Sequence, residues 1–112
     1  MDFFVYLICA EFEGRKLYKI GYTRRKIEKR IKEIKTGNGS DIYLVNSFKS
    51  KWGTKIESHL HRVFSSKKVN REWFDLTDDD IKMFTEKCDL MHKTMEIITT
   101  KNSYYLEKGK LI

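Results

Sequence analysis

Apolar positions change their spacing several times along the chain, and each spacing predicts an element. Phe3 to Cys9 is rich in aromatic and β-branched residues, and Lys16 to Thr23 has the same bias, so both segments predict strands. Glu11 to Arg15, containing Gly14, is the short loop that pairs them as an antiparallel hairpin. After Thr23, read as an N-cap, Ile27, Ile31 and Ile34 recur at i, i+4 and i+7, which predicts a helix ended by Gly37-Asn38-Gly39-Ser40. Ile42 to Phe48 lacks helical spacing and predicts a third strand, whereas Ile56, Leu60, Val63 and Phe64 mark a second helix. Trp73 to Leu76 is a short extended piece that closes the core. From Asp78 onward Ile81, Phe84, Cys88, Met91 and Met95 keep a helical period, which predicts one long third helix capped by Thr77. Asp78, Asp79 and Asp80 then complement the positive end of its dipole and do not gather a metal. The order is β-β-α-β-α-(short β)-α, an α/β chain.

A length of 112 residues supports one core, expected to occupy residues 1–96, with a tail at 97–112 packed on the same domain. The apolar run Phe3 to Ala10 is far shorter than the roughly 20 residues of a membrane span and follows no basic segment. No membrane association and no signal peptide are expected. Cys9 and Cys88 lie far apart and outside any metal-type pair, which favours reduced thiols in an intracellular, cytoplasmic protein.

Charge changes the picture more than composition does. The formal net charge is +7, and ten basic residues between Arg15 and Lys35 face only Glu28 and Glu33. The other 13 basic and 14 acidic residues nearly cancel, so the positive field is local. A confined basic segment is the footprint of a surface that meets a polyanion, because neutralised phosphates release condensed counterions. A solvated helix face is the plainer alternative. On the first reading Arg24, Arg25, Lys26, Lys29 and Lys32 are the candidate nucleic-acid contacts.

A hairpin turning near Phe12 and Glu13 sets Tyr6 opposite Lys19 on one face, and Arg30, beside the apolar stripe of its helix, can reach that face. Glu57 lies beside the stripe of the second helix in the same sense. A phenol, two cations and a carboxylate are the parts that phosphodiester hydrolysis requires.

These residues carry a family resemblance. Val5-Tyr6-Leu7-Ile8 is similar to the first motif of the GIY-YIG endonuclease superfamily, without its glycine. Tyr18-Lys19-Ile20-Gly21-Tyr22-Thr23 resembles the second motif in the variant with Lys-Ile-Gly, and Glu28-Lys29-Arg30-Ile31 resembles the helical arginine segment. Ile56-Glu57-Ser58-His59-Leu60-His61-Arg62-Val63-Phe64 is similar to the metal-binding glutamate helix. Arg71-Glu72-Trp73-Phe74 resembles a segment common in phage and large-virus members. The resemblance runs from about Phe4 to Leu76 and rests on five motifs in order.

The resemblance implies a small three-stranded antiparallel sheet flanked by helices, and metal-dependent endonucleolytic cleavage of DNA, with RNA not excluded. Tyr6 becomes the general base and Glu57 the sole protein ligand of Mg²⁺ or Mn²⁺. Arg30 and Lys19 contact the phosphate, unless Lys19 instead lowers the pKa of Tyr6. His61, one turn after Glu57, is either a second ligand or, preferably, a hydrogen-bonding support, and Tyr18 is a further supporting candidate. A monomer or weak dimer is expected. The alternative is a nucleic-acid-binding module of the same fold that does not cut.

Overall fold

Strand β1 (Phe3–Phe12) is the centre of the molecule because Val5 to Ala10 are buried without interruption, as a strand covered on both faces must be. It pairs antiparallel with β2 (Arg15–Thr23) on one side and with β3 (Asp41–Ser50) on the other. β2 also pairs with β5 (Trp73–Phe74), and β5 with β4 (Lys68–Asn70). The computed structural model describes residues 2–38 and 41–107, with side chains described for residues 2–36 and 41–100. Gly39 and Ser40 of the expected helix-ending loop lie outside the described residues, as do residues 108–112 of the expected tail.

Among the described residues the sheet has five antiparallel strands in the order β3-β1-β2-β5-β4, not the three that were expected. Residues 68–70 of β4 are all exposed and carry no core-facing apolar pattern, so nothing in their spacing announces a strand. The first hairpin turns at Glu13 and Gly14, with φ of 49° and 80°. Two consecutive left-handed residues make the turn whose twist matches that of the strands it joins.

Alternation divides the sheet into two faces. Tyr6, Ile8 and Ala10 meet Ile34 and the partly buried Ile27 and Ile31 of α1 (Ile27–Asn38). Val5, Leu7, Cys9, Tyr18 and Ile20 meet Ile56 and Leu60 of α2 (Gly53–Val63), together with Phe84 and Cys88 of α4 (Phe84–Glu107). β3 serves both faces through a bulge. Its register against β1 slips between Leu7 and Ile8, opposite Asn46 and Leu44, so Val45 is the extra residue. Ile42 and Phe48 are an even number of residues apart and would otherwise share a face. The slip puts Ile42 under α1, and Val45 and Phe48 against the other core.

The helices differ from expectation in four places, one of them that α1 runs on through Gly37 and Asn38, the first two residues of the expected loop. α1 begins at Ile27, and the Thr23 hydroxyl accepts the Arg25 N–H at 3.1 Å in a local turn instead of capping the helix. Val63 is 40% exposed and does not join the α2 stripe. The long third helix is two: α3 (Asp78–Lys82) and α4 are separated at Met83, whose N–H is shared between the carbonyls of Asp79 and Asp80 at 3.1 and 3.2 Å. That shared bond tightens the turn without breaking the apolar phase. Thr77 does cap α3. Its hydroxyl accepts the Asp80 N–H at 3.2 Å, and the Asp80 carboxylate accepts the Thr77 N–H at 2.9 Å. No helix is long and apolar enough to cross a membrane among the described residues.

Candidate active site

Tyr6 does not stand opposite Lys19. With the turn one residue later than expected, Tyr6 faces Gly21 and Lys19 faces Ile8. The face is unchanged, because moving a turn by one residue moves each partner by two. The phenol lies across Gly21: a Cβ there would stand 2.4 Å from Tyr6 Oη and 2.6 Å from Cζ. Only glycine lets this ring cross β2 toward the sheet edge. Gly21→Ala is therefore expected to overpack a side chain that is only 1% exposed, costing about 1–3 kcal/mol and moving the hydroxyl from its place. A urea denaturation midpoint unchanged by the substitution would show that the ring does not rest on this glycine.

β5 covers β2 only at Tyr18 and Lys19, and beyond them the edge is finished by other groups. Ile20 N–H donates to the Glu72 carbonyl at 3.4 Å, and its carbonyl accepts His61 Nε2–H at 2.9 Å. The Tyr6 and Arg30 side chains come to this edge from the α1 face, and Glu57 and His61 from α2 on the other. Arg30 Nε donates to Tyr6 Oη at 3.4 Å, and its side chain is 34% exposed. Glu57 Oε2 lies 3.7 Å from His61 Nε2, and both side chains are mostly buried. The T-shaped contact of His61 with Phe74, at 4.9 Å between centroids, holds the imidazole against the sheet.

Lys19 is 8% exposed and its ammonium is ion-paired with Glu72. It also lies 5.8 Å from the centre of the Trp73 ring. The expected free cation is thus already neutralised by a carboxylate that spacing did not pair with it. Glu72 belongs to a segment that sequence singled out, yet only the sheet brings it to Lys19. Arg71, with φ of 31°, makes the left-handed turn that delivers it.

The electrostatics reverse one expectation. Burial pushes the Tyr6 phenol above its usual pKa, and Glu72 and Glu57 add to the rise. The Arg30 contact opposes it without winning. Glu57 is likewise raised, first by burial and then by Glu72, against the pull of His61 and Lys19. Its carboxylate accepts no hydrogen bond among the described residues. A carboxylate that is mostly buried, still reaches solvent and accepts no hydrogen bond suits a hard divalent cation, so Glu57 is the residue that would hold one ion here. Among the described residues no three His, Cys, Asp or Glu side chains gather as a metal cluster.

Tyr18 has no part in this arrangement. It faces the opposite core, where burial and the neighbouring Cys9 push its phenol up. Cys9 and Cys88 are both free and buried. Phe74 is fully buried under α2 as expected, whereas Trp73 is only partly buried and packs on the opposite, α1 face, edge-on to Phe12 at 6.0 Å. Of the outer basic residues, Arg25 makes a two-pronged pair with Glu33 at 2.6 and 2.7 Å, and Arg30 joins the same carboxylate at 3.3 Å. Lys26, Lys29 and Lys32 are exposed and make no ion pair among the described residues.

The T5orf172 domain family model matches residues 3–89, which include every residue of this site, and the chain belongs to that family. The GIY-YIG resemblance has no family match of its own. No curated protein and no solved structure matches the chain.

Proposed function

We propose that this protein is a metal-dependent endonuclease that hydrolyses DNA phosphodiester bonds with GIY-YIG-type chemistry. The observation that carries the reading is the convergence of Tyr6, Arg30 and Glu57, from β1, α1 and α2, at one edge of the sheet beside the basic segment. Arg30 is exposed enough to bind a non-bridging phosphate oxygen while it holds the phenol oxygen through Nε. Tyr6 orients the attacking water and takes its proton. Glu57 holds Mg²⁺ or Mn²⁺, with His61 fixed behind it by the Ile20 carbonyl. The cation supplies positive charge to offset the charge that builds on the phosphate and the leaving oxygen. Lys19 and Glu72 act as a neutral pair that keeps the β2 edge in place, and Lys26, Lys29 and Lys32 steer the backbone.

A second reading, a nucleic-acid-binding module that does not cut, is favoured by two observations. The Tyr6 side chain is 1% exposed, and its pKa is raised, so little phenolate forms near neutrality. Supercoiled plasmid separates the two. With Mg²⁺ the protein is expected to convert it to open circles, one strand at a time, and chelator is expected to stop the reaction. Retardation of plasmid in a gel without any metal-dependent nicking would leave the binding module as the function.

A further inference from the structure

Beside the site lies an aromatic and cationic cluster that the chemistry above does not use. The rings of Phe3 and Tyr22 meet edge-on, with centroids 5.7 Å apart and planes at 73°. The guanidinium of Arg24 lies 4.9 Å from the centre of the Phe3 ring. Phe3 is held from below, because a Cβ on Gly53 at the start of α2 would stand 2.3 Å from Phe3 Cβ. The cluster is therefore rigid at its base, yet Tyr22 remains 43% exposed and Arg24 is exposed.

Its position matters as much as its composition. Tyr22 follows Gly21, the residue crossed by the Tyr6 phenol, so it lies about one strand residue, roughly 3.3 Å, farther along β2. By alternation it shares the sheet face of Ile20, the face on which α2 brings in Glu57 and His61. Tyr22 also opens the most basic stretch of the chain, Arg24 to Lys35. An exposed flat ring, a stacked guanidinium and a surrounding positive field are what a nucleobase needs for binding without sequence readout. Inside a duplex the base faces are already stacked, so such a platform can engage only a base that has left the helix.

We propose that Tyr22, supported by Phe3 and Arg24, stacks an unpaired nucleobase on the Glu57 side of the same β2 edge that Arg30 reaches from the other face, so that the site prefers DNA with a single-stranded flap, gap or overhang to blunt duplex. This rests on the nucleic-acid reading of the same site but not on cleavage. It names a substrate class and a residue that sets it.

Fluorescence anisotropy in chelator, where no metal-dependent cutting occurs, tests it with two labelled DNAs: a blunt duplex, and the same duplex carrying a single-stranded flap. A 2-aminopurine in the flap reports stacking by its quenching. Wild-type protein is expected to bind the flapped DNA about tenfold more tightly and to quench the reporter, since one stacked base is worth about that factor. Tyr22→Ala is expected to lose the preference and the quenching while keeping its affinity for blunt duplex, and Tyr22→Trp to retain both. Should Tyr22→Ala fail to fold, Tyr22→Leu decides, because it fills the strand position without a π face. Equal affinity of wild type for the two DNAs, or a preference that survives loss of the ring, overturns the proposal. A protein that shows the preference but never nicks plasmid keeps this inference and loses the nuclease reading, whereas one that nicks without the preference does the reverse.

Discussion

Glu57→Gln is expected to abolish metal-dependent cleavage while leaving the fold and DNA affinity in place. Gln preserves the shape of the side chain and removes the charge proposed to hold the cation, so the loss should belong to the chemical step and reach several orders of magnitude, at least about a thousandfold. Stability supplies an independent sign. Burial raises the Glu57 pKa in the folded protein, so the folded state binds this proton more readily than the unfolded chain does. The ionised carboxylate therefore weakens the fold once pH rises above the ordinary Glu value of about 4.3, and the penalty is relieved as pH falls through the raised value. At neutral pH the Gln variant should melt no lower than wild type in the absence of metal. Added Mg²⁺ or Mn²⁺ should raise the melting temperature of wild type and not that of the variant. Because metal and proton compete for one carboxylate, the metal-induced rise should also shrink as pH is lowered through the raised Glu57 value. A variant that cuts at the wild-type rate, or that keeps the metal-induced rise, would remove Glu57 from the metal site.

What sequence could and could not reveal follows from the range over which each signal acts. The run Val5 to Ala10 and the stripes Ile27-Ile31-Ile34 and Ile56-Leu60 are local, and local periodicity identified β1, α1 and α2. The break at Met83 left no mark, because Ile81, Phe84 and Cys88 stay in phase across it. β3 was recognised as a strand, but which of its residues face which core depends on the extra residue at Val45, and a bulge is a property of pairing. The same limit governs the site. Tyr6 and Lys19 share a face whichever residue begins the hairpin turn, so their common side could be read from alternation. Their partners could not, since one step of the turn exchanged Lys19 for Gly21. The Lys19 and Glu72 pair joins residues from different parts of the chain, and no spacing rule connects them. The neutralised lysine follows from that long-range pair, whereas the raised phenol pKa follows from burial first and then from Glu72 and Glu57, which is why the expected lowering of the Tyr6 pKa does not hold in the folded protein.

Tyr6→Phe is expected to fold, to bind DNA, and to lose cleavage by at least about a hundredfold, the lower end of what a positioned general base contributes. The pH profile makes the expectation specific to the phenol. A free phenol ionises near pH 10, and burial in this protein pushes the value up with only partial relief from Arg30. If Tyr6 is the base, the single-turnover rate of wild type at saturating Mg²⁺ should climb about tenfold per pH unit across the neutral range. It should reach no plateau below the pH to which the combined charge of Arg30 and the bound cation brings the phenol. Arg30→Gln removes the charge that opposes the rise and keeps a donor near Oη, so it should carry any plateau to higher pH as well as lower the rate. The Phe variant should show a residual rate without that climb. The measurement is cleavage of a labelled duplex from neutral to alkaline pH, with DNA binding determined separately at each pH. A wild-type rate that stays flat over this range, or a Tyr6→Phe variant that cuts nearly as fast as wild type, would sink the phenol as base. Tyr6 would then be a neutral hydrogen-bonding partner that keeps Arg30 aimed at the phosphate, and the proton of the attacking water would have to leave by another route.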